Sequence, residues 1–181
     1  MSDMERFLKL CRVLYYLKSL DEEIYVECED AEEILNLITP LIPYDKSKKF
    51  ILRFNISLTS DEIFNLLNDV WDAVSNEMLK ISSRSERDYL RIKSLYLLWM
   101  RVRELSDAGE LDDLKDEIIN LYDLLDNYNQ RVFYYHLESK NLLKEMDEMD
   151  AGYYQQLREI FNLMSDNISD ELKRCGCDLS D

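Results

Sequence analysis

The sequence predicts a mainly α protein, a helical bundle of about six helices with a small two-strand β element near the N-terminus. Three observations carry that expectation. Apolar residues recur at steps of three and four through most of the chain. Only three Gly and two Pro occur in 181 residues, too few for a many-turned β protein or for flexible linkers. Hydrophobic residues make up 46%, enough to bury a sizeable core and to argue against global disorder.

Taken in order, residues 4–19 read as a first helix, with Phe7, Leu10, Cys11, Leu14 and Leu17 on one face. In Glu23–Cys28, the residues Ile24, Val26 and Cys28 alternate with more polar ones, which predicts a half-buried strand. Asp30 then starts a short helix with Glu33 as its capping-box partner, and Pro40 and Pro43 stop it. Tyr44 to Lys49 is basic and turn-like and predicts an exposed loop. Phe50, Leu52, Phe54, Ile56 and Leu58 alternate and predict the second strand.

Thr59 and Glu62 form a second capping box, ahead of a helix carrying Ile63, Leu66, Leu67, Val70, Trp71, Val74 and Met78 on one face. The segments Asp30–Ile38 and Thr59–Leu67 resemble one another. They read either as two similarly capped helices or as a duplicated strand–helix unit whose strands pair. Residues 85–106 are apolar on several sides, as in a central helix, and Gly109 caps it.

Leu111, Leu114, Ile118, Leu121, Leu125, Tyr128, Val132 and Tyr135 follow heptad spacing, with apolar flanking positions that favour a bundle helix over a strict two-stranded seam. The last helix spans about 153–174, with Tyr153, Leu157, Ile160, Phe161, Met164, Ile168 and Leu172 on one stripe. The expected organisation is a helix–strand–helix–strand part over 1–58, a four-helix bundle over 59–174 and a flexible tail over 175–181.

Chemistry is sparsely marked. The single histidine, His136, has no partner at a spacing that would place it for acid–base work or metal binding. Cys175 and Cys177 form one C-x-C pair, with Cys11 and Cys28 far off in sequence, whereas zinc sites favour two closely spaced pairs. No glycine-rich phosphate loop or nucleophile-elbow motif occurs. The expectation is a non-enzymatic chain with no cofactor. No apolar run reaches the roughly twenty residues that a membrane span needs, and the acidic start does not resemble a secretory signal. With unpaired thiols, this reads as a cytoplasmic protein.

Charge is the remaining signal. Asp and Glu number 38 against 22 Lys and Arg, a formal net charge of −16. The sign argues against direct binding to nucleic acid or to an anionic membrane. Residues 1–79 hold 16 acids and 8 bases, residues 80–103 hold 2 and 7, and residues 104–181 hold 20 and 7. The basic segment carries Arg84, Arg87, Arg91 and Lys93, placed to pair with acidic helices. Acidic stripes at Asp112, Asp116, Asp123 and Asp126, and at Glu145, Asp147 and Glu148, are the expected partner-binding residues. Rows of carboxylates on a rigid helix can imitate a phosphate backbone. They point to a partner protein with a basic surface, captured by an inhibitor or nucleic-acid mimic. The alternative is a structural subunit that pairs with a second copy through the 111–149 heptad helix. Tyrosines at 15/16, 134/135 and 153/154 suit an interface or the edge of a core.

Overall fold

The computed structural model describes residues 1–21, 26–57, 59–109, 131 and 151–179. Six helices account for almost all of them: α1 (Asp3–Asp21), α2 (Cys28–Ile38), α3 (Tyr44–Ile56), α4 (Ser60–Ser82), α5 (Tyr89–Ala108) and α6 (Ala151–Arg174). The mainly helical expectation holds. Among the described residues there is no strand, so the two-strand element is not formed there.

Phe50–Ile56, expected as a strand, is the second half of α3, and the expected loop Tyr44–Lys49 is its first half. Alternation misleads over so short a run. Phe50 and Phe54 are four apart, as are Leu52 and Ile56, so each pair also shares a helix face. Pro43 sits at the N-cap with φ −55°, an entry that proline's fixed φ suits, and Asp45 in the first turn favours the helix dipole. The other expected strand overlaps residues 22–25, outside the described residues, and its last residue, Cys28, opens α2. Glu27, not Asp30, is the α2 N-cap, and its side chain makes no cap hydrogen bond. A duplicated strand–helix unit is therefore not what the two similar segments build. They are two helices, and only the second is boxed: Thr59 Oγ1 accepts from the Glu62 N–H while the Glu62 carboxylate accepts from the Thr59 N–H.

The chain divides into two compact units, Met1–Tyr89 and Leu90–Asp181. In the first, α1 lies along α4 and also touches α2, while α2 and α3 pack on each other and both on α4. The anticipated α1 face is its buried face: Phe7, Leu10, Cys11, Leu14 and Leu17 are all buried. On α4 the buried stripe is Ile63, Leu66, Leu67, Val70, Val74 and Met78. Trp71 lies at the edge of that stripe, 37% exposed. The Phe7 ring meets Tyr89 at 4.6 Å between centroids. Burying a side chain such as Leu66 or Leu14 contributes about 1.5–3 kcal/mol each, so this stripe outweighs any local propensity.

In the second unit, Leu95, Tyr96, Leu98, Trp99, Val102 and Leu105 of α5 are buried, spread over more than one side as the sequence suggests. Gly109 ends α5 in the left-handed region at φ 80°. On α6, Ile160, Phe161, Met164, Ile168 and Leu172 form the buried stripe. The expected flexible tail starts instead as a cap. Gly176 adopts φ 85°, its N–H donates to the Lys173 carbonyl, and the Cys177 N–H donates to the Leu172 carbonyl. That is a Schellman motif, and it buries Cys177 beside Leu172.

Candidate functional site

Two charged features belong to the interior. Glu77 of α4 is 3% exposed. Its carboxylate accepts from the Arg6 guanidinium at 2.8 Å and from Lys80 Nζ at 2.6 Å. Arg6 Nε donates in turn to the Leu41 carbonyl at 2.8 Å, so one guanidinium joins α1, α4 and the connection after α2. Burial pushes the Glu77 carboxyl up, but the hydrogen bonds and charges of Lys80 and Arg6 outweigh it and hold the group below the usual carboxylate range. In the second unit, Glu171 of α6 is equally buried and accepts from Arg91 of α5 at 2.8 Å. Arg91 of the basic segment thus pairs with one carboxylate of α6, a helix of four acids and three bases. Both buried acids are held by guanidinium groups, which suits helix fastening rather than proton transfer.

The surface is more distinctive. Helix α2 carries Glu29, Asp30, Glu32 and Glu33, with Glu27 before it and no Lys or Arg. Its apolar side, Ala31, Ile34, Leu35 and Ile38, is buried. Helical periodicity therefore turns Glu29, Glu32, Glu33 and Asn36 outward, and all four are exposed, as is Glu27. Glu29, Glu32, Glu33 and Asn36 flank a shallow hollow of about 410 Å³, with Leu37 as its one apolar residue. Among the described residues, none of these glutamates is ion-paired. Glu29 and Asp30 stand in the first turn, where the helix dipole favours them. Glu32 and Glu33 stand beyond it, and the spacings Glu29–Glu32 and Glu29–Glu33 set like charges on one face. Each such pair costs a few tenths of a kcal/mol.

Beside it, α3 has the opposite character, with Lys46, Lys48, Lys49 and Arg53 against a single Asp45. Arg53 is spent on Asp69 of α4. Lys48 and Lys49 are exposed and, among the described residues, unpaired. Tyr44, Leu52 and Ile56 are 75%, 56% and 75% exposed, and Ile51 37%. A third feature is an apolar recess of about 190 Å³ where Phe64 and Trp71 of α4 meet Leu17 and Leu20 of α1.

The anticipated partner-binding residues Asp112, Asp116, Asp123, Asp126, Glu145, Asp147 and Glu148 lie outside the described residues, as do His136 and the heptad helix. Of the tyrosine pairs, Tyr15 is half-buried and Tyr16 exposed. All four cysteines are outside disulfides. Cys11 and Cys177 are buried, and Cys28 is exposed. Among the described residues, no group of three or more Cys, His, Asp or Glu side chains is placed to hold a metal ion, and no helix is long and apolar enough to cross a membrane. The sequence reading does not find the α2 face, because it places Glu27 in a strand and Asp30 and Glu33 in a cap and gives Glu29 and Glu32 no role. The signal was present as five acids within Glu27–Glu33 and no cation.

No family model, no curated protein and no solved structure matches this chain.

Proposed function

We propose that this chain is a non-enzymatic protein-interaction module whose acidic surface takes a protein with a basic surface. The observation that supports this reading is the outer face of α2. Exposed carboxylates are held there on a rigid helix, without cations of their own, around a partly apolar hollow. The ordinary alternative is a solvated face that keeps the protein soluble. Two features favour a binding role. Glu32 and Glu33 lie beyond the first turn, where the dipole adds little, and like charges at helical spacing store repulsion that a cationic partner relieves. The nucleic-acid-mimic form of this reading draws on the stripes at 112–126 and 145–148 as well.

The test is a titration with an arginine-rich peptide, comparing Glu29→Gln/Glu32→Gln/Glu33→Gln with a control that removes the same charge at the exposed Asp72, Glu86 and Asp166. The α2 variant is expected to lose about tenfold or more in affinity and most of the salt dependence. The control should lose far less. Equal losses in the two variants reject α2 as the binding face.

A further inference from the structure

We propose that the basic surface that α2 takes is helix α3 of a second copy of this chain. This rests on the reading of α2 as a binding face and names its partner.

Helix α3 packs through few of its side chains. Of its thirteen residues only Ser47 is buried. Ser47, Phe50 and Phe54 share the side that packs, and both rings are only half-buried. The exposed stripe, which adjoins the packed side through Tyr44 and Ile51, is Tyr44, Lys48, Ile51, Leu52 and Asn55, spaced i, i+4, i+7, i+8 and i+11, with Lys49 and Ile56 further round the helix. Scattered apolar residues on a surface are ordinary. Four large ones on one short helix, interleaved with two unpaired lysines, form a patch of the kind that marks an interface.

The occupant follows from charge. A surface of lysines and aliphatic side chains needs an acidic counterpart with some apolar area. The chain carries one on the neighbouring helix: Glu29, Glu32 and Glu33 around Leu37. An anionic bilayer offers charge as well, but a body of net −16 is repelled from it over the Debye length. Helices α2 and α3 pack on each other and both on α4, so both turn their outer faces away from α4. A two-fold axis then lets each copy lay α3 on its partner's α2, making the same contact twice and closing at a dimer.

The magnitude is modest. The two faces run about 16 and 20 Å at 1.5 Å per residue, and neighbouring axes lie about 10 Å apart, which gives a patch of roughly 400 Å² per copy. That is about half a standard interface, which places the dimer among weak, transient contacts. Both copies carry −16, so salt that screens the local pairs also screens their mutual repulsion. Charge exchange is therefore the decisive test.

Sedimentation equilibrium of the full chain, from micromolar to about millimolar, should show a monomer–dimer equilibrium. Lys48→Glu/Lys49→Glu and Glu32→Lys/Glu33→Lys should each weaken self-association about tenfold or more, and mixing the two should restore it, since both crossed contacts are then complementary. Far-UV circular dichroism establishes that each variant is folded. Leu52→Ala, which leaves the charge untouched, should weaken the dimer as well. A wild type that stays monomeric overturns the inference, as does a dimer indifferent to either charge exchange, or folded variants that fail to associate on mixing. A monomeric wild type leaves the peptide titration of α2 intact. Peptide binding indifferent to α2 neutralisation rejects the underlying reading instead.

Discussion

The Arg6 guanidinium reaches the Glu77 carboxylate at 2.8 Å across 71 positions of sequence, joining α1 to α4 at the one strongly buried acid of the first unit's described residues. Glu77→Ala is expected to cost about 2 kcal/mol. This is less than the 3–5 typical of breaking a fully buried pair, because the cations left behind remain partly in water. A double-mutant cycle with Arg6→Ala in urea denaturation should give a coupling above about 1 kcal/mol, since the residues share one network. Additive losses would mean the pair contributes only packing.

The same carboxylate sets a pH dependence. Its folded value lies below the ordinary one, so the unfolded chain takes up its proton at higher pH. The contribution is fully present above about pH 4.3 and is lost as the pH falls through the lowered folded value. Glu77→Gln should therefore flatten part of the fall in urea midpoint below that pH. Parallel curves for variant and wild type would contradict this.

In the second unit, Arg91→Ala should destabilise by about 1–2 kcal/mol, because it strips a charged donor from the buried Glu171. Arg91→Lys should recover only part of that, since an ammonium lacks the planar fork of a guanidinium. Thermal melts of both variants check the order.

The two similar helix starts give a paired prediction. Thr59→Ala removes the α4 capping box and should cost about 1 kcal/mol. Glu27 already has the extended conformation of an N-cap, φ −75° and ψ 149°, without a side-chain bond. Glu27→Ser should therefore stabilise by about 0.5–1 kcal/mol in urea denaturation.

These residues also show where the sequence is legible. The apolar stripes of α1, α4 and α6, the Thr59–Glu62 box and the glycine end of α5 were all readable, because three-and-four spacing and cap chemistry act locally. Helix α3 was not. Its Phe50/Phe54 and Leu52/Ile56 pairs satisfy both a period of two and a spacing of four, and tertiary packing on α2 and α4 decides between them. The α2 face was half legible. Its charge could be counted, but its exposure depended on Ile34, Leu35 and Ile38 turning inward.

Amide chemical-shift mapping of the chain, titrated with an arginine-rich peptide below the concentration at which it self-associates, tests the proposed capture of a cationic surface by α2. Perturbations are expected to concentrate at Glu27–Leu37 and to vanish in the Glu29→Gln/Glu32→Gln/Glu33→Gln variant. Shifts spread evenly over the acidic surface, or centred away from α2, would contradict it.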